Sequence, residues 1–270
     1  MTRRAAVLGK PVSHSLSPVL HNAGYAAAGL TGWSYTAIEC AEADLPAFVA
    51  GLDAEWAGLS LTMPLKEVGL AVATAVSPIA AAVGAANTLV HQPDGSWRAD
   101  NTDVPGMVAA LREAGITAVS RVAVLGAGGT ARAAVAAAAQ LGAESVIVYA
   151  RRAEAIDELR PVADALGVPL AGAGWPAAEE CARADVVIST VPKGVADHLQ
   201  VPWRAKTVLF DALYDPWPTP LAASAQRAGN RIVSGLDLLL NQALGQFEQF
   251  TGVAAPVEAM RGALRDARRR

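Results

Sequence analysis

Three clusters of polar side chains in the N-terminal part of the chain could do chemistry. In Ser13-His-Ser15-Leu-Ser17-Pro18 an extended backbone would put residues 13, 15 and 17 on one face. Serines at a helix start can form a carboxylate-binding nest, although Ser17 before a proline also reads as a plain N-cap. Ser60-Leu-Thr62-Met-Pro64-Leu-Lys66 closes a strand and enters a proline turn, with Lys66 just inside the next element. Lys66 reads there either as a solvated helix residue or as a positioned ammonium. Asn87-Thr88 together with Asp100-Asn-Thr-Asp103 carries more hydrogen-bonding groups than a turn needs. Asp103 alone would also serve as the N-cap of a following helix. An ammonium held beside a carboxylate can relay a proton or stabilise a developing alkoxide. No residues stand at zinc-ligand spacing, so no metal is expected.

A fourth motif supplies a partner for such chemistry. Val122-Ala-Val-Leu-Gly126-Ala127-Gly128-Gly129-Thr130-Ala131 is a short apolar run ending in Gly-x-Gly-x-x-Ala, followed by an alanine-rich stretch to about Gln140. Strand, tight turn and helix start in that order cradle a pyrophosphate. Gly126 permits the turn, Gly128 lets backbone approach phosphate, and Ala131 lets the helix pack on its strand. The helix N-terminus offers N–H groups and partial positive charge. The next strand, Ser145–Ala150, ends in Arg151-Arg152, where an NAD-binding unit would carry an acid for the ribose 2′-hydroxyl. Two guanidinium groups suit a 2′-phosphate instead, so the expected cofactor is NADP.

Around these motifs, helical and strand patterns alternate with no repeat and no long linker. That argues an α/β fold with mostly parallel sheets. Ala5–Leu8, Ser34–Glu39, Gly58–Thr62, Asp185–Ser189 and Thr207–Phe210 read as strands. Residues 86–90 and 96–100 read as a hairpin around Pro93-Asp-Gly95. Residues 18–29, 45–52 (opened by Asp44 as N-cap) and 104–114 read as helices. The expected organisation is a first α/β domain over residues 1–104 and a Rossmann domain over 105–234. A helical segment over 235–270 has no strand left to pair with and is expected to lie back on the first domain.

The composition suits this. The chain has 270 residues, 53% hydrophobic and 17% charged, with net charge −3. That gives ample core and no electrostatic footprint for nucleic acid or an anionic membrane. Cys40 and Cys181 are far apart and lack metal-ligand spacing, as in a reducing cytoplasm. The basic start is followed only by a strand-length apolar run, too short for a signal peptide, and no apolar stretch is long enough for a membrane span. Arg268–Arg270 reads as a solvated helix end.

Taken together the motifs resemble one family. Gly9-Lys-Pro-Val-Ser-His-Ser-Leu-Ser-Pro18, Thr62-Met-Pro-Leu-Lys-Glu67, Gly84-Ala-Ala-Asn87-Thr and Asp100-Asn-Thr-Asp103 look like shikimate dehydrogenase motifs in family order. The glycine loop, Tyr214 with Thr219-Pro220, and Gly235-Leu-Asp-Leu-Leu-Leu-Asn-Gln242 extend the resemblance over nearly the whole chain. It implies NADPH-dependent, reversible reduction of 3-dehydroshikimate to shikimate in aromatic amino-acid biosynthesis, by a cytoplasmic monomer or homodimer. It also implies an N-terminal substrate domain, an NADP-binding Rossmann domain and a cleft between them. By the family pattern Lys66 and Asp103 are the catalytic pair, and Ser15, Ser17 and Tyr214 hold the substrate carboxylate. Asn87, Asp103, Thr62 and Gln242 hold the ring hydroxyls, and Ser60 lies near the substrate. Thr190 and Gly235 join Gly126, Ala127, Gly128, Gly129, Thr130, Ala131, Arg151 and Arg152 on the cofactor side.

The chain departs from that pattern at several positions. Ser60 stands where many members carry Asn. Ala150-Arg151-Arg152 replaces a frequent Asn-Arg-Thr. Leu238 replaces Met, and Asp237 replaces a frequent Gly. Two rival readings stay open at this point. One is a quinate/shikimate dehydrogenase, usually NAD-preferring, against which the arginine pair argues. The other is a non-catalytic NADP-binding sensor, which should have lost Lys66 or Asp103.

Overall fold

Short apolar runs without alternation become strands covered on both faces, and this decides the architecture. The computed structural model describes residues 2–268, so the last two arginines of the basic tail lie outside the described residues. The chain divides into two units, Met1–Gly106 with Leu239–Arg270, and Met107–Leu238. Among the described residues no helix is long and apolar enough to cross a membrane.

The first unit contains β1 (Arg3–Gly9), α1 (Ser17–Ala27), β2 (Trp33–Glu39), α2 (Leu45–Ala50), β3 (Trp56–Leu61), β4 (Ala75–Val76), α3 (Pro78–Val83), β5 (Thr88–His91) and β6 (Trp97–Asp100). Its six-stranded sheet has the order β2-β1-β3-β5-β6-β4. β1 pairs in parallel with β2 and β3, while β5 is antiparallel to both β3 and β6. The expected hairpin is therefore present. Every residue of β3 is buried, and Leu8, Leu45, Leu59, Leu65 and Leu89 are fully enclosed in the core.

Two caps differ from expectation. Ser17 is the first helical residue rather than the cap: Leu16 holds that position, and Ser15 Oγ accepts the Ser17 N–H at 3.3 Å. Asp44 precedes α2 but has helical backbone angles, and its side chain caps nothing. In both places a proline at the second helical position presets the first turn, so the helix forms without a side-chain cap.

The chain next forms α4 (Asp103–Glu113), β7 (Arg121–Leu125), α5 (Gly129–Gln140), β8 (Ser145–Ala150), α6 (Ala153–Asp157), α7 (Arg160–Leu166), β9 (Leu170–Gly174), β10 (Val186–Ser189), β11 (Val208–Asp211), α8 (Pro220–Arg227) and β12 (Arg231–Ser234). The second sheet is wholly parallel, in the order β12-β11-β10-β7-β8-β9. Numbered within the unit, that is the doubly wound order 3-2-1-4-5-6, whose switch point lies between β7 and β10. β9 and β12 are sheet edges that carried no strand signal in the sequence. The chain ends in α9 (Gly235–Thr251) and α10 (Val257–Ala267). The boundary between the units falls inside α4 and α9, and α10 packs on α1 within the first unit.

One core residue of the first unit has a pH consequence. His21 is fully buried, stacked 4.1 Å from the Tyr35 ring with Tyr25, Phe247 and Phe250 around it. Neither ring nitrogen has a hydrogen-bond partner of good geometry. Burial pulls the imidazole from its ordinary 6.5 down to about 3, with Gln246 opposing. The fold thus holds His21 neutral where the unfolded chain would protonate it. That stability is fully present above about pH 6.5 and is lost as pH falls toward 3. Between about pH 7 and about pH 4.5 the loss through His21 is expected to be roughly 2–3 kcal/mol. Urea midpoints across that range check it: His21→Phe should remove this part of the slope, and equal slopes in both proteins would assign it to other groups.

Candidate active site

Lys66 is positioned by backbone contacts. The turn after β3 is tied by the Leu65 N–H to the Thr62 carbonyl (2.8 Å) and the Lys10 N–H to the Met63 carbonyl (3.0 Å). The Ala86 N–H donates to the Lys66 carbonyl (2.7 Å). Leu65 anchors the turn in the core. Gly9 makes room for Thr62, since a Cβ there would lie 2.4 Å from the threonine methyl. Lys66 thus sits in a turn, followed by a short 3-10 helix at Val68–Val72.

Its ammonium donates to Asp103 Oδ2 at 2.6 Å. Asp103 is the first residue of α4 and is 6% exposed. It does not cap its own helix; Asn101 Oδ1 takes the Val104 N–H instead (3.2 Å). The other Asp103 oxygen accepts from Asn87 Nδ2 at 2.9 Å. Both carboxylate oxygens therefore have partners, one of them charged, as a buried charge requires.

Asn87 is the hub. Its Oδ1 accepts from the Thr102 backbone N–H (2.8 Å) and from Thr88 Oγ1 (2.8 Å). A backbone N–H can only donate, so this contact fixes the amide orientation and aims Nδ2 at Asp103. Nδ2 also reaches Thr102 Oγ1 at 3.0 Å and, more loosely, Gln242 Oε1 at 3.4 Å. Gln242 lies on α9, and Gly106 lets that helix come close: a Cβ at 106 would stand 2.8 Å from the Gln242 nitrogen. Ser60 is enclosed. Its hydroxyl accepts from Tyr35 Oη (2.6 Å) and donates to Gln246 Oε1 (2.8 Å). Ser15 and Thr62 are partly exposed, and Ser17 is buried. Ser15 and Ser17 lie together at the start of α1.

The sequence reading missed Gln246 and Tyr35, and it held Thr88 and Thr102 only as members of a polar cluster, without a role. A signal for Gln246 exists: Gln242, Gln246 and Gln249 are spaced for one helix face. Gln249 indeed bridges the sheet too, donating to Asp100 Oδ2 (2.9 Å) and accepting from Arg98 (2.8 Å).

The second unit holds the glycine loop between β7 and α5. Gly126 has φ +103°, and a Cβ there would meet Thr190 Oγ1 at 2.7 Å, so only glycine serves. Thr190 follows β10 and donates to the Leu125 carbonyl (2.9 Å), closing the turn. Gly128 is different. Its φ of −96° suits any residue, and an added Cβ would meet nothing within 4 Å. Nothing inside the protein requires a glycine there, which leaves backbone bare toward open space. Gly129 and Thr130 begin α5, which has no side-chain cap and no acid in its first turn. A bare backbone at an uncapped helix start suits a dinucleotide pyrophosphate. Ala127 lies within the loop, and Ala131 is a fully buried residue of α5. The register pairing Leu125 with Tyr149 sets the end of β8 beside this loop. Arg151 and Arg152 leave that strand end exposed.

Tyr214 lies between β11 and α8. Asp211 steadies its segment, accepting from Thr219 Oγ1 (2.6 Å) and from the Leu213 N–H (3.2 Å). Burial and the neighbouring Asp215 push the Tyr214 phenol up, keeping it a neutral donor. Gly235 is buried at the start of α9, where a Cβ would be only 2.1 Å from the Ala212 carbonyl.

Residues 7–89 match a family model described as the shikimate dehydrogenase substrate binding domain, and residues 235–265 one described as the shikimate 5'-dehydrogenase C-terminal domain. Residues 121–209 match a model described as NADP oxidoreductase, coenzyme F420-dependent. The chain is 38% identical over 285 residues to the NADP(+) shikimate dehydrogenase of Moorella thermoacetica, covering 98% of this chain and 94% of that one. The crystal structure of Mycobacterium tuberculosis shikimate dehydrogenase is 46% identical, with a TM-score of 0.89 over 98% of this chain and 99% of that one. The shikimate 5-dehydrogenase of Thermus thermophilus, solved with NADP(H) and shikimate, is 32% identical. Its TM-score is 0.86 over 98% of this chain and all of that one (100%).

Proposed function

The chain belongs to the shikimate dehydrogenase family, and from that premise we propose that it interconverts 3-dehydroshikimate and shikimate with NADP(H), as a biosynthetic, metal-independent oxidoreductase of the shikimate pathway. The carrying observation is the 2.6 Å Lys66–Asp103 pair, held by Asn87 among hydroxyl and carboxamide groups. A polyhydroxylated acid needs such a set, with donors for its ring hydroxyls and one charged group at the reacting oxygen.

When bound, the nicotinamide supplies the hydride chemistry. The protein manages the proton. In the oxidative direction the substrate O–H must give up its proton as the carbinol carbon is oxidised to the ketone. Lys66 Nζ stabilises the developing alkoxide or relays that proton. Asp103 holds Lys66 and accepts a ring hydroxyl. Asn87, Thr62 and Gln242 orient the ring, and Ser15, Ser17 and Tyr214 take the carboxylate. Gly126, Ala127, Gly128, Gly129, Thr130 and Ala131 would cradle the pyrophosphate, Arg151 and Arg152 the 2′-phosphate, and Thr190 and Gly235 the nicotinamide side. The bare backbone at Gly128 supports that fit.

A steady-state assay with shikimate or quinate, each with NADP or NAD, tests the reading. Shikimate with NADP is expected to lead by at least about tenfold in kcat/KM, one lost polar contact's worth of discrimination. A lead for quinate or NAD would assign a catabolic role. Ligand binding without turnover would assign a sensor.

A further inference from the structure

The hydrogen bonds behind Asn87 run in one enforced direction. The Asn87 carbonyl can only accept, so the group meeting it at 3.1 Å is Gln246 Nε2. The same Nε2 reaches Thr88 Oγ1 at 3.1 Å, and Thr88 must then give its proton onward to Asn87 Oδ1 at 2.8 Å. With Nε2 committed, Gln246 Oε1 faces Ser60, whose hydroxyl donates to it at 2.8 Å. Ser60 therefore accepts from Tyr35 Oη at 2.6 Å. Ser60, Asn87, Thr88 and Gln246 are each under 5% exposed, and the Tyr35 ring is clamped on His21. Two backbone groups, the Thr102 N–H and the Asn87 carbonyl, thus set the polarity of a chain running from Tyr35 to Lys66.

We propose that Tyr35, Ser60 and Gln246 form a positioning relay that locks the Asn87 amide and, through it, the Lys66–Asp103 pair; this rests on the reading of that pair as the reaction centre. Ser60 then acts on Gln246 from behind and does not touch substrate. Gln246 cannot relieve the loss of Ser60 by turning over, because its oxygen would then face the Asn87 carbonyl. A buried acceptor without a donor is costly, so the amide loosens instead.

The test is a double-mutant cycle on Ser60→Ala and Gln246→Leu in the full chain, with unfolding midpoints measured so that only folded protein is compared. Each single change is expected to lower kcat/KM for shikimate, by about tenfold for Ser60→Ala and about thirtyfold for Gln246→Leu, with KM for NADP unchanged within about twofold. The double variant should be no worse than Gln246→Leu, since both act through one amide. Multiplying losses, or folded Gln246→Leu keeping its wild-type kcat/KM, would overturn the proposal. Should Gln246→Leu not fold, Ser60→Ala with Tyr35→Phe makes the same comparison, Tyr35→Phe being the milder. The Asn87 side-chain amide protons, followed by NMR without substrate, provide a readout independent of activity. Their exchange should quicken at least about tenfold in Ser60→Ala. Unchanged protection overturns the relay even if the wild-type protein fails to turn over shikimate, and that failure by itself would count only against the functional reading.

Discussion

Lys66→Ala is expected to lower kcat by about a hundredfold or more while leaving NADP affinity nearly unchanged. The ammonium meets charge that develops only in the transition state, so its loss should fall on kcat rather than on substrate binding. The change also strips Asp103 of its cationic partner at 2.6 Å, leaving a carboxylate held by Asn87. Asp103 is nearly enclosed, so some stability goes with the lysine, by up to a few kcal/mol. Asp103→Asn separates the two effects. Its amide oxygen can still accept from Asn87, but its NH2 would then face Lys66, removing the restraint while sparing the ammonium. That variant should retain more stability than Lys66→Ala and still lose kcat. Rates per folded molecule, with KM for shikimate and NADP determined separately, decide the matter. Near-normal kcat in folded Lys66→Ala would remove the residue from the reaction.

The parts legible in the sequence are those whose geometry is local. The glycine loop needs only a strand, a turn and a helix start in succession, and β7, Gly126 and α5 supply them in that order. The hairpin around Pro93-Asp-Gly95 and the two-face-buried strands were equally plain. The constellation around Asn87 was visible as a list of polar residues, yet its assembly depends on pairing. Antiparallel register sets Ser60, Thr88 and Asp100 in one row across β3, β5 and β6, and the Asn87 N–H bonds the Asp100 carbonyl at 3.1 Å. Spacing along the chain carries no such register. Gln246 stayed hidden for a related reason: a glutamine on an amphipathic helix reads as surface until the sheet it faces is known. The edge strand β9, Leu170–Gly174, has three of its five residues exposed. It forms because β8 offers a free edge, not because its residues favour a strand. Ser17 and Asp103 were plausible caps by type. Pro18 and Asn101 took over those tasks, which leaves the serine hydroxyl and the carboxylate for other work.

Arg151→Ala is expected to raise KM for NADP by about tenfold to a hundredfold, the value of charge-assisted hydrogen bonds to a phosphate, and to leave KM for NAD within about twofold. The argument is positional. β8 runs parallel to β7 with Tyr149 opposite Leu125, so the residue after β8 stands beside the turn that would hold the pyrophosphate. In this sheet order the end of the second strand is where the ribose of a dinucleotide is read. Arg151 and Arg152 are exposed there, so a 2′-phosphate bound at that strand end would meet two cations. Because both side chains are solvated, the effect should shrink as ionic strength rises. Arg152→Ala and the double variant apportion it, and together they should bring NADP and NAD toward equal kcat/KM. An equal rise in KM for both cofactors would mean that the arginines serve the pyrophosphate instead, and an unchanged NADP preference in the double variant would place the 2′-phosphate contact elsewhere in the second unit.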